Sequence, residues 1–156
     1  MTAYYSSILY GALLTVGVSL AALLVSVLLG LLGAGAKLSG NRSLVALATI
    51  YTTIIRGIPE LVLMLLVFYG GSIGINHLLE LSGTGATLDI NPFTAGVLTL
   101  GFIYGAYMTE TFRGAILAIP RGQFEAAAAF GMGPVQMFLR ITAPQMVRHA
   151  VPGFTN

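Results

Sequence analysis

Residues Ile8 to Leu32 read ILYGALLTVGVSLAALLVSVLLGLL, with no charged side chain among them. At 1.5 Å of rise per residue this run exceeds the ~20 residues needed to cross ~30 Å of hydrocarbon. It is the first of several membrane spans to be expected, because charge is absent from Met1 through Ala36 and long apolar runs recur further along. A cleavable signal peptide is not indicated: Met1 to Tyr10 has no basic leader, and the run that follows is long enough to stay in the bilayer.

Composition supports a polytopic membrane protein. Of 156 residues, 56% are hydrophobic and 8% charged, against roughly half apolar and a quarter charged in an ordinary soluble domain. The net charge is only +2, and the basic residues are dispersed without a stripe or cluster among aromatics, so a nucleic-acid partner is not expected. With no Cys there is neither a disulfide framework nor a thiolate metal site. His77 and His149 stand far apart in sequence, and no metal site follows from them.

After the polar turn from Lys37 to Ser43, a second apolar stretch runs to about Leu79, interrupted by Arg56, Gly57, Pro59 and Glu60. Its membrane-deep part is expected to begin near Glu60, which leaves Leu44 to Ile58 as an interfacial or short helix leading into it. Gly70, Gly71 and Gly74, then Ser82 to Asp89, read as a small-residue loop, and Phe93 to about Leu117 as a third span that Pro120 ends or bends. Apolar character returns at Ala150 and Val151, shortly before Asn156. The sequence thus reads as one domain over 1–156: an all-α polytopic bundle of three complete spans plus the start of a fourth, broken off C-terminally.

Orientation follows from the cations, because Lys and Arg accumulate in cytoplasmic loops and acidic residues contribute little. Lys37, Arg42 and Arg56 lie between spans one and two, while Arg113, Arg121, Arg140 and Arg148 lie at or after the end of span three. The loop between spans two and three carries only Glu80 and Asp89. The N-terminus is therefore expected outside and the segment around Glu125 in the cytoplasm.

That segment, residues 120–145, cannot span: its longest uncharged run, Ala126 to Leu139, has 14 residues and is broken by Gly131, Gly133 and Pro134. Pro120 suits a helix start, Ala126 to Ala129 are strong helix formers, and Gly131 can stop the helix in the left-handed region. A second short helix is expected from Pro134, ending before Pro144. Two short helices meeting at a glycine make a knob whose small alanine face admits another protein's backbone, and Glu125 near the first helix's start suits the helix dipole and a partner's cation. The alternative is an amphipathic hairpin resting on lipid, which would put Lys opposite Trp or Leu; the alanine and glycine pattern favours a protein partner.

The spacing Glu125-Ala126-Ala127, Gly131, then Ile141-Thr142-Ala143-Pro144 resembles the cytoplasmic signature loop of permease subunits in ATP-binding-cassette importers. Tyr51 through Leu61, which contains Arg56-Gly57-Ile58-Pro59-Glu60, resembles the start of the second span in polar amino acid permeases, and Tyr107 through Gly114 resembles the end of their third span, from which Ala118 to Gln123 lead on to Glu125. The likeness covers Tyr10 to Asn156 and is greatest to Q-type subunits of the histidine/lysine/arginine/ornithine and arginine importers. One departure is Ala143, where the loop usually has Leu. The resemblance implies a type I importer fold and a loop (Glu125, Ala126, Ala127, Gly131, Ile141, Pro144) that couples to a separate ATP-binding-cassette subunit. It further implies a second permease, homologous or identical, a periplasmic amino acid-binding protein, membrane lipid around the spans, and a polar, basic amino acid as cargo. ATP and Mg would sit on the partner subunits, with no cofactor on this chain. In keeping with this, no Gly-x-x-x-x-Gly-Lys-Ser/Thr loop and no plausible Ser/His/Asp set is present, so the chain is not expected to be an enzyme.

Within the spans, Arg56, Pro59 and Glu60 are candidates for a gate or kink, or else for an ion pair one helical turn long, snorkelling at the interface. Tyr69, Tyr104 and Tyr107 are candidate pathway residues, since a phenol offers both an aromatic face and a hydroxyl; an interfacial aromatic belt is the other reading. Glu110 is a candidate for a cationic substrate, but it lies about 26 Å along the third span, near its inner edge, with Arg113 as an i+3 partner. Gly101 and Gly105, with Gly96, make a face for close helix approach. The competing function, an ATP-independent secondary transporter or channel, requires intramembrane coupling groups or paired broken repeats, and these are not evident.

Overall fold

The computed structural model describes residues 2–81, 83 and 91–154, and within these the secondary structure is helical. Helix α1 (Thr2–Leu38) contains the first span and overruns it at both ends. Helix α2 (Arg42–Gly57) starts at Asn41, whose side chain accepts from the Ser43 amide, and stops at Ile58, just before Pro59. Helix α3 (Glu60–Leu65) passes through a wide π-helical turn, Leu66–Gly70, into α4 (Gly71–Leu81). Helix α5 (Pro92–Leu117) follows, begun by Asn91, which accepts from the Phe93 amide at 2.9 Å, with Pro92 in the first turn. Both Asn caps satisfy donors that a helix N-terminus otherwise leaves unpaired.

Two stretches are long and apolar enough to cross a membrane by length and composition, Tyr4–Leu38 and the combined Glu60–Leu81. The expected third span, α5, has the length but carries Thr, Gly, Tyr, Glu110 and Arg113. Its place in the bundle accounts for this, because nine of its residues, from Val97 to Ala115, are buried against the rest of the chain.

The core is the seam between α1 and α5. On α1 the buried positions Ala22, Ser26, Gly30 and Ala34 recur every fourth residue, while Leu20, Leu24, Leu28 and Leu32 face outward. Small residues let the two backbones come close enough for dispersion contacts to hold them where no water drives association. A Cβ on Gly101 would lie 2.5 Å from Val25 Cγ1, and one on Gly105 would lie 2.9 Å from both Leu29 Cβ and Tyr51 Oη. Gly30 and Gly33 of α1 leave equally little room beside Met108 and Thr109. Because Val25 faces Gly101, Leu29 faces Gly105 and Gly33 faces Thr109, the two helices run parallel. The buried hydroxyls do not break the seam: Ser26 donates to the Leu23 carbonyl and Thr109 to the Gly105 carbonyl, each within its own helix.

Two expectations change. Gly70, Gly71 and Gly74 are not loop residues but lie in the π-turn and in α4. Glycine costs ~1 kcal/mol in a helix in water, yet in hydrocarbon an unpaired amide costs more than that, and the helix persists. The remainder of that loop, Ser82 to Asp89, lies outside the described residues except for Gly83. The second change is at Pro144. The helix begun as α7 (Pro134–Met137) continues through a π-turn, Phe138–Thr142, into α8 (Ala143–Ala150) and a final 3-10 turn, Val151–Phe154. Proline has no amide to give the Arg140 carbonyl, and the widened turn absorbs the loss: the Ala143 amide bonds Phe138, five residues back.

Candidate functional site

Two features stand out, one polar and one an exposed apolar turn. The first lies at the Lys37 end of the α1–α5 seam. Lys37, in the last turn of α1, donates to Glu110 Oε1 on α5 and to Thr52 Oγ1 on α2 at 2.7 Å. Glu110 Oε2 accepts from Arg113 Nε and Nη2, both at 2.9 Å. The expected Glu110–Arg113 pair therefore exists, and Lys37 is a second partner that no local spacing announces. Lys37 and Glu110 retain 11% and 18% of their side-chain exposure, so each is expensive to leave uncompensated. Helix α2 is fixed in the same region by the Tyr51 hydroxyl, which donates to the Phe102 carbonyl at 2.5 Å.

Arg56 and Glu60 do not pair with each other. The break at Ile58 and Pro59 swings α3 away from the line of α2, so two residues spaced for one helical turn end up on different elements. The Arg56 guanidinium instead stands over the Tyr107 ring, 5.4 Å from its centroid, and Glu60 Oε2 accepts from the Tyr104 hydroxyl at a long 3.4 Å. Tyr104 and Tyr107 are themselves in contact, with centroids 6.2 Å apart. The structure thus gathers Arg56, Glu60, Tyr104, Tyr107 and Glu110 along one side of α5, with Pro59 as the N-cap of α3. Tyr69 is elsewhere, lining an apolar cavity of about 330 Å³ with Met64, Phe68 and Thr99. Sequence reasoning missed Lys37 and Thr52; the one available signal was that Lys37 ends an otherwise uncharged helix.

The second feature is the knob. Helix α6 (Arg121–Ala129) begins after Pro120 and ends in a Schellman turn. The Met132 amide donates to the Ala127 carbonyl at 3.1 Å and the Gly131 amide to Ala128 at 2.9 Å, with Gly131 at φ +71°. Gly131 is thus the left-handed stop that the sequence requires. Ala127 is buried, but Glu125, Ala126, Ala128 and Ala129 are exposed. Phe130, 84% exposed, Val135 and Leu139 stand out from the turn and the helix after it. Ile141 is half-buried, Pro144 exposed, and Thr142 and Met146 are buried at the return to the bundle, where α8 packs on α5 through Met146, Ala150, Phe112 and Ala115. The segment from α6 to α8 thus leaves an exposed apolar tip at Phe130, Val135 and Leu139 and is tied back to the end of α5 through α8. Among the described residues no cluster of three His, Cys, Asp or Glu could hold a metal ion.

Residues 26–156 match the family described as binding-protein-dependent transport system inner membrane component. The chain is 53% identical over 149 residues to the histidine/lysine/arginine/ornithine transport system permease protein HisQ of Escherichia coli K12, covering 96% of this chain and 65% of that protein. It is 38% identical over 153 residues to the arginine ABC transporter permease protein ArtQ of Haemophilus influenzae, covering 98% and 66%. To the octopine transport system permease protein OccQ of Rhizobium radiobacter it is 39% identical over 143 residues, covering 92% and 60%. The chain spans just under two thirds of the length of the HisQ relatives it matches. A solved structure titled as the crystal structure of an amino acid ABC transporter with histidines superimposes with a TM-score of 0.64 and 31% identity, over 95% of this chain and 66% of that one.

Proposed function

The chain belongs to the binding-protein-dependent transport system inner membrane components, and on that premise we propose that it is a permease subunit of an ATP-driven importer for a polar, basic amino acid. The roles of its relatives, histidine/lysine/arginine/ornithine and arginine transport, support the cargo class. The N-terminus lies on the periplasmic side, where a binding protein delivers the amino acid. A second permease subunit, homologous or identical, completes the pathway, and the hydrolysis of ATP, with its Mg, takes place on separate ATP-binding-cassette subunits.

The observation that carries this reading is the knob: a glycine-stopped alanine helix with an exposed Phe130, joined to the end of α5 at Pro120 and followed by α8, which packs back on α5. Closure of the ATPases on nucleotide pushes the knob, and because α8 and α5 share a buried cluster, the push is delivered to the α1–α5 seam rather than dissipated in a loop. The free energy is the differential affinity for nucleotide of the two states, since a ligand shifts an equilibrium only by that difference.

The test is co-purification of the full-length subunit from membranes with its candidate ATPase, comparing wild type with a Glu125→Lys, Gly131→Arg double variant. Retention by the wild type and loss in the inserted variant is the expected result. If neither retains the ATPase although both insert, the reading fails and an ATP-independent transporter takes its place.

A further inference from the structure

We propose that the open cleft between α1, α2 and α5 at the Lys37 end binds an oxyanion, either the phosphate of a lipid headgroup or a free phosphate. The cleft has a volume of about 500 Å³, and Lys37, Thr52, Thr53, Arg56, Tyr107 and Glu110 are in its wall. That is room for an oxyanion together with the group that carries it.

Charge decides the class of ligand. Lys37, Arg56 and Glu110 share the wall, Glu60 nearby is turned to the Tyr104 hydroxyl, and both oxygens of Glu110 are already engaged, one by Lys37 and the other by Arg113. Glu110 already accepts three charge-assisted bonds from two cations, so its charge is compensated and it offers little to a cationic ligand. Arg56 is different: among the described residues no carboxylate pairs with it, and its one face rests on the Tyr107 ring. Stacking on an aromatic face fixes the guanidinium plane and leaves its N–H edges available, the geometry that grips two oxygens of one phosphate at once. Lys37, held in place by Thr52 and Glu110, supplies a second fixed positive charge at the same wall.

Location agrees with chemistry. Lys37 is in the last turn of the longest apolar helix, the depth at which a chain leaves hydrocarbon for headgroups, and basic pockets between helices at that depth suit anionic lipid. The site is separate from the knob and is independent of which amino acid is carried.

For the test, the full-length permease is purified with its partner subunits and placed in nanodiscs of phosphatidylcholine, with or without phosphatidylglycerol. Native mass spectrometry counts retained phosphatidylglycerol, and thermal unfolding is followed while inorganic phosphate is titrated into the phosphatidylcholine discs. Wild type and the exposed-cation control Arg148→Gln are expected to retain about fivefold more phosphatidylglycerol than Arg56→Gln. That result assigns the lipid. A phosphate-dependent rise in unfolding temperature, present in wild type and lost in Arg56→Gln, assigns the free oxyanion. Equal retention and equal phosphate response in wild type and an assembled Arg56→Gln complex overturn the proposal. Should Arg56→Gln not assemble, Arg56→Lys keeps the charge and loses the planar fork; it is expected to retain about twofold less, and undiminished retention overturns the proposal as well.

Discussion

Lys37 and Glu110, 73 positions apart in the chain, close the same end of two parallel helices, and Thr52 of a third helix shares the ammonium. The ion pair therefore locks α1, α2 and α5 together at one level.

Removing one partner is more damaging than removing both. Glu110→Leu leaves Lys37 and Arg113 without a counter-charge, and the cost is expected at about 3 kcal/mol, the low end for a buried pair because both side chains keep some exposure. The double variant Lys37→Met, Glu110→Leu is expected to recover at least half of that. Unfolding temperatures in detergent for both single variants and the double decide it; strictly additive losses would show that the pair has no mutual term.

Glycines on the seam and off it separate cleanly. Gly101→Ala drives a methyl to 2.5 Å from Val25 and is expected to cost about 1–3 kcal/mol through overpacking. Gly114→Ala, on the same helix with nothing within 4 Å, is expected to be neutral or to gain about 0.5–1 kcal/mol from helix propensity. Reversal of that order in a thermal melt would contradict the packing described for α5.

At the knob, Gly131→Ala places a Cβ at φ +71° and is expected to cost about 1–2 kcal/mol of local stability, whereas Gly131→Asn is milder because Asn tolerates that region. Gly133→Ala, at φ −70° with open space around it, is the control and is expected to be silent. Hydrogen exchange of the Met132 amide, bonded to the Ala127 carbonyl, reads the effect directly: faster in the Ala variant and unchanged in the control.

Because the chain has no Cys, its orientation is open to single-cysteine labelling. Gln136→Cys, on the exposed surface of the knob, is expected to react with a membrane-impermeant maleimide in inverted vesicles and to be protected in right-side-out ones. The opposite pattern would place the N-terminus inside.

Much of the fold was legible because it depends on properties residues carry alone. The uncharged run before Lys37 needs no tertiary information to be a span, and Gly131 is a helix stop because of its own backbone freedom. The misreadings came where a neighbour or the solvent changes the rule. Arg56 and Glu60 have helical spacing, but Pro59 between them makes their spacing meaningless. Gly70, Gly71 and Gly74 looked like a loop because glycine's helix penalty is learned in water. Pro144 looked like a stop because a π-turn that absorbs a proline has no sequence signature. The Lys37–Glu110 contact was out of reach, since only the parallel register of α1 and α5 brings the two together.

That parallel register also bears on how the protein is made. Helix α1 is synthesised before α5 and has to remain in the bilayer while that partner is still unmade, so it cannot rely on α5 for its place there; its uncharged, leucine-rich span supplies an affinity for lipid of its own. Helix α5 arrives later, to a partner already in place, and this is what lets it carry threonines, tyrosines, a carboxylate and a guanidinium through a membrane. The two helices of the seam are unequal in composition because they are unequal in birth order: the first is its own anchor, and the second is received.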